Sequence, residues 1–132
     1  MYSFRKSKKG FTLIELMVVV AIIGVLSLLG LRLYTGQQEK AKNAVVKANA
    51  STVHTLIQGE LADNQALTAV QAVALGTAAN MRNPYSVAAA TTQLSTAANI
   101  EGVVEVALAA GIFTITGLGN GSTIVTTLTA RP

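Results

Sequence analysis

The chain has 132 residues, of which 51% are apolar and 12% are charged, with a formal net charge of +4 and no cysteine. This length allows one domain with an appendage rather than two full domains, and the apolar content excludes a disordered chain. The absence of cysteine excludes disulfide scaffolds, thiolate metal sites, iron–sulfur clusters and thiol nucleophiles.

The net positive charge lies in the first ten residues. Four of the ten basic residues stand there, namely Arg5, Lys6, Lys8 and Lys9, and the other six balance the six acidic residues. Because the basicity belongs to a short leader, we do not expect nucleic acid as a strong direct ligand.

Residues 11–31 form an apolar stretch with one charge, Glu15. A helix of about 20 such residues spans a hydrocarbon core of roughly 30 Å, and the basic leader would hold its N-terminal end in the cytoplasm. The stretch is longer than the core of a cleaved secretory signal, and no clear A-x-A site follows it. A plain membrane anchor would leave Glu15 unexplained, since a carboxylate at the centre of a bilayer costs about 2.5–3.5 kcal/mol and indicates a function with a partner. We expect no partner for this carboxylate within its own helix.

The six residues GFTLIE (10–15), between the basic leader and the apolar stretch, form a recognisable motif. This motif resembles the class III signal of type IV prepilins, which type IV pilins share with competence pilins and type II secretion pseudopilins. The resemblance implies cleavage by a prepilin peptidase between Gly10 and Phe11, followed by N-methylation of Phe11. It further implies an inner-membrane assembly platform, and an assembly role for Glu15, which would set register against the terminal amine of a neighbour's Phe11.

Two features depart from the pattern of many type IV pilins. No proline stands near the end of the apolar stretch, since Pro84 and Pro132 are the only prolines. We therefore expect any helix flexibility at Gly24 and Gly30, because each glycine weakens a helix by about 1 kcal/mol relative to alanine. The C-terminal disulfide loop of many family members cannot form.

An amphipathic pattern follows the apolar stretch and predicts that the helix continues. The predicted buried stripe comprises Tyr34, Ala41, Val45, Ala48, Thr52 and Leu56, widened by Val46, Val53 and Ile57. No proline interrupts residues 11–61, so we expect one helix of about 51 residues, roughly 75 Å long.

A second, shorter helix is predicted after this one, with Asp63 or Asn64 as its N-cap and Gly76 as its end. Its predicted apolar face comprises Leu67, Val70, Val73 and Ala74. Residues 81–86 are typical of a loop or turn.

The C-terminal third predicts three antiparallel strands. The alternating apolar residues are Val104, Val106 and Leu108, then Phe113 and Ile115, then Ile124 and Leu128 on the face of Thr126. Two breaks separate the three strands, namely Ala110-Gly111 and the glycine-rich run that ends in Asn120-Gly121. Asn-Gly is a strong hairpin signal.

These elements predict an α+β fold in which the amphipathic part of the long helix covers a small meander sheet. We divide the chain into a cleaved leader (1–10), a membrane and filament-core helix (11–31), an amphipathic helix (32–62), a connecting region with a short helix (63–101) and the meander (102–132).

No residue pattern predicts an enzyme, a metal site or a cofactor. His54 stands without a second histidine or a cysteine nearby, so a packed or surface histidine is expected rather than a metal ligand. Asn49 and Asn120 each begin an N-x-S pattern, the acceptor pattern for N-glycosylation, but such short patterns occur commonly by chance. Gly117, Gly119 and Gly121 lie in a hairpin loop, not before a helix, and so form no phosphate cradle.

The preferred interpretation is a structural subunit of a type IV pilus, held in the inner membrane as a precursor and polymerised with its own copies into an extracellular filament. Motility, adhesion and DNA uptake all remain open. A type II secretion pseudopilin is the first alternative. The resemblance implies that a major pseudopilin would carry an acidic calcium site near its C-terminus. This chain has only Glu101 and Glu105 there, which disfavours that alternative. A monomeric membrane-anchored binding module is the second.

Overall fold

The computed structural model describes residues 10–86, the backbone of residues 92–94, and residues 99–132. Its elements in chain order are α1 (Leu13–Asp63), α2 (Ala69–Ala78), β1 (Thr92–Leu94), β2 (Val104–Ala109), β3 (Ile112–Leu118) and β4 (Ile124–Ala130). The chain divides into two compact units, Met1–Gln37 and Gln38–Pro132. The predicted α+β fold, a long N-terminal helix with a small antiparallel sheet, is confirmed.

The predicted single helix is confirmed within about two residues at each end, as α1 covers Leu13–Asp63. The predicted buried face is right for the residues that widen the stripe, Val46, Val53 and Ile57, and wrong for most of the central stripe. Val45, Ala48 and Thr52 are exposed, and the residues buried in the second unit lie at spacings of three and four: Val46, Asn49, Ala50, Val53, Ile57 and Leu61. The prediction for the central stripe failed because alanine and valine occur on nearly every side of this helix, so the apolar period does not fix its phase.

Helix α2 begins later than predicted. Thr68 is its N-cap and forms a capping box with Gln71, whereas Asp63 ends α1. Gly76 lies inside α2 and is buried with Ala72, while Val70 is exposed. The helix starts after Thr68 rather than after Asp63 or Asn64, because the Thr-x-x-Gln spacing gives hydrogen-bond partners to the backbone N–H groups of both Thr68 and Gln71.

The sheet has the order β1-β2-β3-β4. Strands β2, β3 and β4 form the predicted antiparallel meander, and β1 extends it by pairing parallel to β2. Ala110 and Gly111 connect β2 and β3, and both have positive φ (+51° and +76°), as a two-residue type I′ hairpin requires. Asn120–Ser122 form a 3-10 turn between β3 and β4, where the sequence predicts a hairpin.

A β-bulge in β4 displaces one predicted face residue. Gly117 pairs with Thr126 and Leu118 pairs with Ile124, so Val125 is an extra residue and the alternation shifts there. Ile124 is consequently 70% exposed rather than packed with Leu128. Gly117 faces α1 closely, because a Cβ there would lie 2.9 Å from Val46 Cγ1.

The core of the second unit lies between α1, α2 and the sheet. Its buried members from α2 and the sheet include Ala72, Val104, Val106, Phe113, Ile115 and Ala130. Three asparagine side chains fasten the predicted loop at residues 81–86. Asn49 donates to Arg82 O (3.1 Å), Asn83 donates to Glu101 O (2.9 Å), and Asn43 accepts from the Tyr85 hydroxyl (2.8 Å).

Candidate functional site: the N-terminal segment

The first described residues lie outside the helix. Gly10 and Phe11 precede α1, both are exposed, and no atom lies within 4 Å of the position that a Cβ on Gly10 would occupy. Thr12 is the last residue before α1, and its carbonyl accepts the first helical bond from Leu16 N (3.3 Å). The peptide bond between Gly10 and Phe11 is therefore separated from the helix by Thr12.

Glu15 has a hydrogen-bonding partner at the start of its own helix, Thr12, which corrects the expectation of none within the helix. The backbone N–H and the hydroxyl of Thr12 donate to Glu15 Oε2, at 2.9 and 3.0 Å, and Glu15 N donates to Thr12 Oγ1 at 3.3 Å. This reciprocal pattern is a capping box, with Thr12 at the N-cap and Glu15 three residues later. A negative side chain in the first turn also interacts favourably with the helix dipole.

The capping box leaves part of the carboxylate available. Both bonds from Thr12 end on Oε2, and within the described residues no donor reaches Oε1. Because the donors are neutral, they satisfy hydrogen-bonding capacity without cancelling the negative charge. The arrangement can therefore still accept a cation at the start of the helix.

The α1 surface that follows is apolar and uncovered within the first unit. Every residue from Gly10 to Ala41 is exposed. Among the described residues, α1 is the one helix long and apolar enough to cross a membrane, with a mean hydropathy of 2.7 over its most apolar window. Gly24 and Gly30 lie within this continuous helix, so their role as points of flexibility stays a prediction. Residues 1–9, which include Lys8 and Lys9 of the leader, lie outside the described residues.

The remaining candidates have structural roles. His54 Nε2 lies 3.0 Å from Thr129 O, and the described residues contain no group of three or more metal-ligating side chains. Asn49 is buried and bonded to Arg82, which makes it a poor acceptor for a glycan. The Asn120 side chain donates to Glu39 in the turn between β3 and β4.

Comparison with known proteins bears on this N-terminal segment. Residues 5–31 match the model of the prokaryotic N-terminal methylation motif. The chain is 40% identical over 52 residues to the type IV major pilin protein PilA of Myxococcus xanthus (strain DK1622), which covers 39% of this chain and 24% of that protein. The resemblance to type IV pilins is confirmed.

Two fimbrial proteins extend the same similarity. Fimbrial protein EcpB of Eikenella corrodens is 44% identical over 55 residues, covering 42% of this chain and 35% of that protein. Fimbrial protein Q of Moraxella bovis is 40% identical over 74 residues, covering 56% of this chain and 43% of that protein. The chain thus matches less than half the length of each of these pilin and fimbrial relatives, none of which is an enzyme. No solved structure is significantly similar to the chain.

Proposed function

We propose that the chain is a structural subunit of a type IV pilus. A prepilin peptidase cuts between Gly10 and Phe11, and Phe11 becomes the methylated N-terminus. Before assembly, the subunit is held in the inner membrane. Copies then polymerise through residues 11–31 into an extracellular filament, with an inner-membrane platform extracting each subunit from lipid. The methylation motif over residues 5–31 and the pilin relatives support this sequence of events.

The uncovered apolar surface of α1 is the observation that carries the proposal. Large apolar side chains between Leu13 and Leu33 are all at least half exposed, so the folded chain gives them no cover. Lipid covers them before assembly, and neighbouring helices cover them afterwards. Because lipid and neighbouring helices both shield this surface from water, transfer of a helix from the membrane to the filament meets no large hydrophobic barrier, and assembly can be reversed.

Glu15 acts in the proposed filament through its charge. Cleavage creates an α-amine on Phe11, which supplies a cation when it is protonated. The amine of a neighbouring copy can reach the Oε1 atom that Thr12 leaves available. Such a pair fixes axial register more than it adds net stability, as single polar residues do in coiled-coil seams.

A pair of variants separates the cap from the charge. Glu15→Gln keeps the capping box, since glutamine serves as well as glutamate at this position, but it removes the charge. Thr12→Ala removes the capping hydroxyl and keeps the charge. We expect Glu15→Gln to be inserted into the membrane and to form few or no filaments, while Thr12→Ala retains more of them. Filament yield is measured by electron microscopy of sheared surface material, with peptide mass spectrometry to identify this chain.

The processing step has its own measurement. Mass spectrometry of the native protein should detect methylated Phe11 as the N-terminus, and an intact Met1 would contradict processing. Undiminished filaments from Glu15→Gln would remove the proposed role of the charge. A monomeric anchored binding module predicts that Glu15→Leu changes nothing, whereas a pseudopilin predicts assembly that depends on a secretion system.

A further inference from the structure

The turn between β3 and β4 contains the only Asn-Gly pair in the sequence, Asn120-Gly121. Both residues are exposed, Gly121 has a φ of +62°, and no atom lies within 4 Å of the position of a Cβ on Gly121. Since glycine carries no side chain to shield its backbone nitrogen, this nitrogen can approach the side-chain amide carbon of the preceding asparagine.

Two carboxylates hold the two groups that would react. Asn120 Nδ2 donates to Glu39 Oε1, and Gly121 N donates to Glu101 Oε1 at 2.7 Å. The carbonyl of Asn120 accepts from Thr123 N (3.3 Å) and Thr123 Oγ1 (2.8 Å). The side chain of Asn120 is thereby tied to α1, which carries Glu39, and the turn is tied to the segment before β2, which carries Glu101.

We propose that Asn120 is a site of spontaneous deamidation, that Glu39 and Glu101 slow the reaction, and that the product releases the turn from α1. The nitrogen of Gly121 loses its proton to hydroxide and forms a bond to Cγ of Asn120. The bond from Cγ to Nδ2 breaks, and the nitrogen leaves as ammonia with protons from water. Water then opens the cyclic imide to aspartate or isoaspartate, so the net change is uptake of one water and release of one ammonia.

Charge explains the protection. The attacking nitrogen is anionic, and an anion adjacent to the Glu101 carboxylate is disfavoured by like-charge repulsion. Glu39 fixes the orientation of the side-chain amide and opposes the negative charge that grows on its oxygen. Removing the Glu101 charge should accelerate the reaction about tenfold, which is the change in the reactive population for one pKa unit in the ionisation of the Gly121 amide, and removing the Glu39 charge should also accelerate it.

The product undoes the contacts that slow its formation. Aspartate at position 120 cannot donate to Glu39 and places two carboxylates side by side. Isoaspartate also lengthens the backbone by one methylene, which displaces the carbonyl that Thr123 contacts. The turn then loses the hydrogen bond that ties Asn120 to α1, and this consequence is independent of whether the chain forms a pilus.

The test follows the mass of the peptide that contains residues 120–121 while the full chain is incubated in detergent micelles. Wild type should deamidate more slowly than a synthetic peptide of residues 115–127. Glu101→Gln should react about tenfold faster than wild type, and Glu39→Gln should also react faster. Glutamine keeps an acceptor oxygen in place, so these variants retain the hydrogen bonds. Asn120→Gln is the matched control, because it keeps the donor to Glu39 but would need a less favourable six-membered ring.

Hydrogen exchange of residues 119–123 reports the consequence. Asn120→Asp should lose protection there, while Asn120→Gln retains it. A wild type that reacts as fast as the peptide, or glutamine variants that react no faster than wild type, would overturn the protective role of the carboxylates. Unchanged exchange in Asn120→Asp would overturn the release of the turn.

Discussion

Replacing Gly102 by alanine tests how the loop at residues 81–86 is held. Gly102 has a φ of +79°, and a Cβ there would overlap Asn83 Oδ1 and lie 2.9 Å from Tyr85 Cδ2. The buried Asn83 side chain donates to Glu101 O (2.9 Å) and accepts from Tyr85 N (2.8 Å) and Ser86 N (3.1 Å). The left-handed conformation costs alanine about 1–2 kcal/mol, and each displaced hydrogen bond costs about 1 kcal/mol more. We expect Gly102→Ala to lower the free energy of unfolding by about 4 kcal/mol.

Gly111→Ala is the matched control for this variant. Gly111 has a φ of +76°, but no atom lies within 4 Å of the position of its Cβ, so alanine meets only the backbone penalty of about 1–2 kcal/mol. Thermal unfolding of the full chains in one detergent is followed by circular dichroism. Each kcal/mol of lost stability should lower Tm by about 4–8 °C. Equal losses in the two variants would refute the proposed clash with Asn83. In a double variant with Asn83→Ala, the cost of Gly102→Ala should also fall, since the overlapping atom is absent.

Three further predictions concern the second unit. Ala110→Asn should raise Tm by a few degrees, equivalent to about 1 kcal/mol, because asparagine tolerates the positive φ of +51° at this hairpin position; a lower Tm would contradict the type I′ assignment. Burial raises the pKa of Tyr85, whose hydroxyl donates to Asn43. The folded state therefore keeps this proton where the unfolded chain loses it, so the associated stability is full below about pH 10 and declines as the pH rises further. Tyr85→Phe should reduce that decline in urea unfolding series, and an unchanged pH profile would count against it. Val46→Ala should destabilise by about 2 kcal/mol and Val45→Ala by under about 0.5 kcal/mol in the same assay, and the reverse order would contradict the observed face of α1.

Much of the fold could be predicted because its elements depend on local signals. The apolar stretch, the amphipathic pattern after it and the absence of proline over residues 11–61 together predict α1, and strand alternation predicts the meander of β2, β3 and β4. The buried face of α1 could be predicted only in part: Val46, Val53 and Ile57 are buried as expected, but Val45 and Val46 are equally apolar, and the close packing of Val46 against Gly117 distinguishes them. The exposure of Ile124 depends on a bulge that no local pattern indicates.

The site was predicted in part. The motif at residues 10–15 is local and continuous, so it could be identified without a structure. The hydrogen bonds between Thr12 and Glu15 were missed, although the Thr-x-x-Glu spacing before an apolar run is itself a capping-box signal. A lone charge in an apolar helix predicts a partner outside that helix, and it does not by itself indicate the local partner Thr12.

The capping box bears directly on how Glu15 could set register in the proposed filament. The hydrogen bonds from Thr12 reduce the free-energy cost of placing the carboxylate in an apolar bundle. The negative charge is still unfavourable there until a cation pairs with it. The Thr12 contacts also hold Glu15 Oε2 at the level of the residue that follows Phe11. Identical chains therefore present the acid and the new amine within one turn of each other. A slip of one helical turn, about 5.4 Å, would take a neighbour's amine out of reach and leave the carboxylate unpaired. In the proposed filament, the cap would make the charge tolerable before assembly, and the pairing would make one axial position preferable to its neighbours.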